Sequence, residues 1–332
     1  MARARALRVP RNGDPDVLRV ETVEVPDPGP GQARVRVQAS GVNFIDVYQR
    51  TGAYPVPTPF TLGLEGAGVV ESAGDGVDLT PGARVAWAMK PGSAAELALV
   101  PAAALVPVPE AVGTEQAAAA LLQGMTAHYL ITSTYAVRSG DVVLVHAAAG
   151  GVGQWLVQWC AAKGAKVIAT AGSAAKLTLA RELGAAYTID YTSIGSGQEL
   201  ASAVRDAAEQ VTGEPGVHVA YDGVGRTTFD SSLAALRPRG VLALFGAASG
   251  PVPPVDPQRL NVAGSVFLTR PSLAHFIADP DELQQRAAAV LNAVTDGSVR
   301  LQIGGRWPLE EAPAAYRALA ERRSTGKLML TT

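Results

Sequence analysis

The stretch Asp141-Val-Val-Leu-Val-His-Ala-Ala-Ala-Gly-Gly-Val-Gly153 decides how this chain folds. Val142 to Val145 is an unbroken apolar run, the composition of a parallel strand buried on both faces. It leads into a glycine-rich turn, which opens the amphipathic segment Gln154 to Lys163. Strand, tight turn and helix in that order form the phosphate-binding unit of a dinucleotide fold. Glycines let the backbone approach a pyrophosphate, and the free N–H groups at the helix start face the anion. Aligned with GxGxxG, the first glycine is replaced by Ala148, while Gly150 and Gly153 remain.

A second strand, Lys166 to Ala171, follows after a helix-length segment, and its end bears on which dinucleotide is bound. NAD-binding units place an acidic side chain about 20 residues on, to accept from the ribose 2′-hydroxyl. Here no Asp or Glu lies between Asp141 and Glu182; the interval carries Lys163, Lys166, Lys176 and Arg181. At Ala171-Gly-Ser-Ala-Ala-Lys176 a 2′-phosphate would meet no repulsion and would find a hydroxyl and an ammonium, so NADPH is expected over NADH. That Lys176 is only a solvated helix lysine stays open.

Strands and helices alternate from Asp141 on, the signature of a parallel sheet. Strands are expected at 186–190, 217–222 and 241–245, with helices at 176–183, 198–211 and 227–236. After a Pro-rich loop, 264–269 is β-rich; helices at 281–295 and 309–321 and a strand at 328–331 follow. The first 110 residues instead look antiparallel β. Gln32 to Ala39 alternates strictly, Pro and Gly punctuate often, and short strands are expected at 68–72, 83–88 and 94–100. A helix is expected from Thr114 toward Tyr129. The fold class is α/β, with a β domain at 1–125 completed by 266–332 and a Rossmann, doubly wound parallel-sheet domain at 126–265.

Composition narrows the function. The chain has 332 residues, 48% of them hydrophobic, enough for two cores. With 28 basic and 30 acidic residues the net charge is −2, which gives no electrostatic case for nucleic acid or an anionic membrane. No apolar stretch is long enough for a transmembrane helix, and no signal-like apolar region follows the basic N-terminus. A cytoplasmic protein is expected. Cys160, the single cysteine, allows no internal disulfide and is expected to be buried.

Several further pieces carry a resemblance. Gly41-Val-Asn-Phe-Ile-Asp-Val-Tyr48, Gly52-Ala-Tyr-Pro55, Gln123-Gly-Met-Thr-Ala-His-Tyr129, His146 to Gly153, Tyr221-Asp222 and Thr269-Arg-Pro271 together resemble the quinone oxidoreductases. These form the zeta-crystallin-like, zinc-free branch of the medium-chain dehydrogenase/reductase superfamily. The resemblance covers nearly the whole chain. It implies a GroES-like N-terminal domain around an inserted dinucleotide domain, with the active site in the cleft between them, and a homodimer for which 264–269 is a plausible seam.

The resemblance also implies where a catalytic zinc would have been. The superfamily's zinc-ligand positions match Asn43, Leu64 and Gln123, none a thiolate or imidazole. Neither the four histidines, which lack close ligand spacing, nor one cysteine can make a metal site, so no metal is expected. Without a Lewis acid the natural substrate is an already electrophilic quinone. The open alternatives are an enone or 2-enoyl-thioester reductase and, from another class, a non-catalytic crystallin-like or RNA-binding protein.

Residue roles are likewise implied by resemblance. Asn43 and Tyr54 would face nicotinamide and acceptor, with Tyr48, Leu64 and Met125 lining the substrate pocket. A phenol is a poor acid near neutral pH, so positioning is the expected role of Tyr54, and a turn aromatic beside Pro55 is the other reading. The cofactor would meet Asn43, Thr126, Gly151, Val152, Gly153, Phe245, Phe267 and Thr269, with Ser173, Lys176, Tyr191 and Arg323 at its adenine and 2′-phosphate end. Asp46 and Glu65 are read as structural hydrogen-bonding groups, and Asp222 as a strand-end turn residue.

Overall fold

The computed structural model describes residues 1–321 and 324–332. Two units divide the chain: Met1–Met125 with Phe276–Thr332, and Thr126–His275. The N-terminal run comprises β1 (Ala2–Val9), β2 (Arg19–Val25), β3 (Gln32–Val42), α1 (Phe44–Thr51), β4 (Phe60–Thr61), β5 (Glu65–Ala73), β6 (Arg84–Ala88), β7 (Leu97–Pro101), β8 (Val106–Pro107) and α2 (Thr114–Tyr129). The strict alternation of β3 turns Ala33, Val35 and Val37 into a core with Val70, Val85, Trp87, Ala98 and Val100. β3 pairs antiparallel with β5 on one edge and, over Gln32 to Arg36, with β7 on the other.

The second unit holds β9 (Val142–Val145), α3 (Gly151–Ala162), β10 (Lys166–Ala171), α4 (Ala174–Glu182), β11 (Tyr187–Asp190), α5 (Gly197–Thr212), β12 (Val217–Asp222), α6 (Phe229–Ala234), β13 (Leu236–Leu244), α7 (Gln258–Val262), β14 (Phe267–Thr269) and α8 (Leu273–Phe276), the last of which ends at the junction. Its sheet runs β11-β10-β9-β12-β13-β14 with every neighbour parallel. Counted from β9 this is the order 3-2-1-4-5-6 of a dinucleotide-binding sheet, whose order reverses between β9 and β12. Both central strands are buried, which is why Val142 to Val145 reads as apolar throughout.

One boundary differs from the sequence reading, which closed the parallel sheet before residue 264 and gave 266–332 to the other domain. β14 is the sixth parallel strand, with Phe267, Leu268 and Thr269 in register with Val241, Leu242 and Ala243. Three residues, one of them largely exposed, carry too little pattern to reveal which sheet they join. β13 also starts five residues before the expected strand, and α6 is correspondingly shorter.

The remaining elements return to the first unit: α9 (Pro280–Thr295), β15 (Ile303–Pro308), α10 (Ala312–Ala320) and β16 (Lys327–Thr331). β16 pairs antiparallel with β3 and parallel with β15, giving the sheet order β15-β16-β3-β5-β6-β8. Leu309, Ala312, Ala315 and Tyr316 pack with Leu328 and Leu330 against Leu7, Val9, Leu18, Val42 and Leu62. The last strand therefore lies beside the end of β3 that leads into Asn43.

Candidate functional site

In the second unit the glycine turn has the shape its sequence demands. Gly150 caps α3, and its N–H donates to Ala147 O at 2.8 Å. A Cβ on Gly153 would overlap Ala147 O and the Ala148 backbone, so the first helical turn lies directly on the loop. Gly151 and Val152 are half-buried in that turn. A backbone so closely approached, with free N–H groups at a helix start, fits a pyrophosphate.

Beneath the turn lies a closed polar chain. His146, at the end of β9, meets Thr170 Oγ1 at 2.9 Å and Ser232 Oγ at 3.0 Å. Ser232 donates to Asp222 Oδ2 at 2.8 Å, and Asp222 Oδ1 accepts from Val224 N, Gly225 N and Thr228 Oγ1. All five side chains of this network are buried, and burial pushes the His146 imidazole below its ordinary pKa, so it is held neutral. Asp222 spends both oxygens on the β12 turn and α6.

At the end of β10, Ser173 caps α4, its hydroxyl accepting from Lys176 N at 3.4 Å. Tyr191 lies over Gly172, where a Cβ would sit 2.6 Å from the phenol oxygen. Phe245 rests against Gly223 in the same way, at 2.8 Å. Lys176 is half-buried, Thr126 is buried, and Thr269 is half-buried. Phe267 is 61% exposed on the sheet's edge strand. Arg323 lies outside the described residues.

In the first unit Asn43 is the hub of a buried network. It caps α1 and forms a reciprocal pair with Asp46: the Asn43 N–H donates to Asp46 Oδ2 at 2.9 Å. Lys327 Nζ donates to Asn43 Oδ1 at 2.8 Å and to Glu65 Oε2 at 2.5 Å. Gln123 Nε2 donates to the same Asn43 Oδ1 at 2.6 Å. Asn43 Nδ2 faces Gly41 O at 3.1 Å and Glu65 Oε2 at 3.3 Å. Glu65 Oε1 accepts from Leu122 N at 2.6 Å, and Tyr316 OH donates to Asp46 Oδ2 at 3.0 Å. Burial raises the Asp46 carboxyl to about 7 and the Tyr316 phenol well above its ordinary range.

Every hydrogen-bonding position of the Asn43 amide is thus committed inside the protein. Leu64 and Met125 are buried. Tyr48 and Tyr54 form a tilted ring pair 5.1 Å apart, joined by a Tyr54 N–H to Tyr48 O bond of 2.9 Å, and Tyr54 is 41% exposed. Lys327 and Tyr316 escaped the sequence reading. The signal for Lys327 was a lysine opening a strand whose next three residues, Leu328, Met329 and Leu330, are apolar and buried.

Asn43 and Gln123, which match zinc-ligand positions, are amides wired to each other, with a protein ammonium already seated against Asn43. Among the described residues no group of three or more His, Cys, Asp or Glu could hold a metal ion.

A GroES-like β unit with a 3-2-1-4-5-6 parallel sheet defines a dehydrogenase/reductase of the medium-chain type. Residues 29–110 match the family model of the alcohol dehydrogenase GroES-like domain, and residues 151–291 that of the zinc-binding dehydrogenases. The chain belongs to the quinone oxidoreductase family: it is 41% identical to a quinone oxidoreductase of Pseudomonas aeruginosa, across 98% of this chain and 99% of that one. It is 40% identical to a 2-haloacrylate reductase of a Burkholderia species over 96% of both chains. A mycobacterial protein solved in complex with NADPH superposes with a TM-score of 0.94 at 46% identity, covering 99% of this chain and all of that one.

Proposed function

We propose that this protein is an NADPH-dependent quinone reductase that works without zinc. The observation that carries this reading is the Asn43 hub. Where zinc enzymes of the superfamily need ligands, this chain has two amides, of which Asn43 is saturated by Lys327, Gln123, Glu65 and the Gly41 carbonyl. A metal does not fit there, because Asn43 has no lone pair left for it. Likeness to the Pseudomonas quinone oxidoreductase and to an NADPH complex supports the substrate and the cofactor.

Bound NADPH supplies the hydride. Gly151, Val152 and Gly153 hold its pyrophosphate, and Ser173, Lys176 and Tyr191 receive the 2′-phosphate and adenine end. Thr126, Phe245, Phe267 and Thr269 serve the nicotinamide end. Lys327, Glu65 and Gln123 fix Asn43, so that this wall is rigid before the acceptor arrives. Tyr48 and Tyr54 offer aromatic faces to a planar acceptor, with Leu64 and Met125 as its apolar lining. We further propose a cytoplasmic homodimer joined through the β14 edge, a reading supported by the exposure of Phe267 and Val262.

The test is NADPH consumption against benzoquinone, a bulky ortho-quinone, a simple enone and a 2-haloacrylate. Fast turnover of the quinones with a chelator present supports the proposal. Turnover confined to the enone or haloacrylate replaces it with a carbon–carbon double-bond reductase, the reading favoured by the Burkholderia relative.

A further inference from the structure

Two buried oxygens of the Asn43 network, one on Gln123 and one on Asp46, have no hydrogen-bond partner among the described residues. An ammonium can only donate, so the Asn43 atom 2.8 Å from Lys327 Nζ has to be Oδ1. That sets Nδ2 toward Glu65 Oε2 and Gly41 O, both acceptors. The Gln123 atom 2.6 Å from Asn43 Oδ1 must then be Nε2. Its other atom, Oε1, is left without a partner among the described residues, although Gln123 is only 7% exposed. Lys327 therefore dictates, through one intervening amide, which end of Gln123 is unspent. Buried side-chain carbonyls are seldom left unpaired, and one at a functional site calls for a ligand donor.

The second unpaired oxygen in the network, Asp46 Oδ1, belongs to a carboxyl that burial holds partly protonated near neutral pH. Gln123 Oε1 has no such option and accepts at every pH. A quinone offers only carbonyl oxygens and cannot satisfy it. A hydroquinone offers O–H groups.

We propose that Gln123 is a ligand-binding residue whose side-chain oxygen takes a hydrogen bond from a hydroxyl of the reduced acceptor, and that Lys327 is the positioning residue that keeps this oxygen available. The site then holds the hydroquinone more tightly than the quinone, which draws the bound reaction forward. This inference rests on the quinone-reductase reading.

The experiment uses the full chain with NADP⁺ or NADPH present. Three quantities are measured: the inhibition constant of a naphthohydroquinone under anaerobic conditions, the KM of the matching naphthoquinone, and the Kd of NADPH by fluorescence. Gln123→Met, close in size but without an amide, should weaken hydroquinone binding about tenfold, the loss of one hydrogen bond. The quinone KM should change less than about threefold, and the NADPH Kd should not move. Lys327→Met should shift the hydroquinone-to-quinone ratio in the same direction, and Lys327→Arg should restore most of it. A merely structural lysine would leave that ratio alone. If Lys327→Met does not fold, Gln123→Met decides by itself. Hydroquinone binding unchanged in Gln123→Met overturns the inference. So does a loss confined to NADPH, which would give the donor role to the nicotinamide carboxamide or ribose. Wild-type protein that binds NADPH but reduces no quinone would instead overturn the functional reading on which the inference stands.

Discussion

Lys327 Nζ and Glu65 Oε2 meet at 2.5 Å across 262 positions of sequence, and neither side chain is more than 3% exposed. Two charges taken out of water are favourable only if their remaining hydrogen-bonding positions are filled. Here both ends have further partners: the ammonium also reaches Asn43, and the second carboxylate oxygen takes Leu122 N.

Removing one partner strands the other. Lys327→Met should cost about 3–5 kcal/mol in urea unfolding at pH 7, because Glu65 is left charged and buried. The double variant Lys327→Met/Glu65→Gln should recover most of the loss. A single variant within about 1 kcal/mol of wild type would contradict the account.

The Asp46 carboxyl gives a pH dependence whose sign is fixed. Its ordinary pKa is 3.8, and burial raises it to about 7 in the folded protein. Between those values the folded state binds a proton that the unfolded chain has lost, so stability falls as pH rises from about 4 to about 7 and levels off above. The loss is on the order of 4 kcal/mol. His146 acts in the opposite sense, since its lowered pKa withdraws stability as pH drops below the ordinary 6.5. Urea midpoints at pH 5 and pH 8 for wild type and Asp46→Asn separate the two. The variant should lose the downward slope and keep the histidine's, and parallel profiles would refute the assignment.

Gly153→Ala places a methyl on Ala147 O and forces α3 off the loop. We expect a loss of about 1–3 kcal/mol in stability, as for overpacking elsewhere. NADPH affinity should fall at least about tenfold, since the helix N–H groups no longer converge. Unchanged NADPH titrations would show that the pyrophosphate sits elsewhere.

Lys176→Ala should weaken NADPH about tenfold and leave NADH nearly unaffected, the pattern of one lost charge-assisted contact to the 2′-phosphate. Equal losses for both cofactors, read by the same fluorescence titration, would return Lys176 to the role of a helix-surface lysine.

Much of the fold was legible because its pattern is local. The apolar run of β9, the alternation of β3 and the glycine turn each announce themselves within a dozen residues. At β14 the β character was legible but its sheet was not, since three residues, one exposed and two half-covered, look alike in either unit. The candidate site divides the same way. Gly151 to Gly153 follow from neighbours in sequence. The wiring of Asn43 depends on Gln123 and Lys327, 80 and 284 positions away, and no local period encodes such a meeting. Sequence resemblance implies that Asn43 faces the ligands, and the structure adds that its amide is held by Lys327, Gln123, Glu65 and Gly41.

The place of β16 also bears on how the protein is made. Asn43 leaves the ribosome 284 residues ahead of the lysine that completes its surroundings, and β3 waits as long for its outer neighbour. The parallel-sheet unit is one uninterrupted segment and is subject to no such delay. During synthesis the inserted unit can be finished while the older half of the chain still exposes one unpaired edge at the end of β3 and an uncompensated glutamate. Chaperone demand should therefore fall on the first residues made.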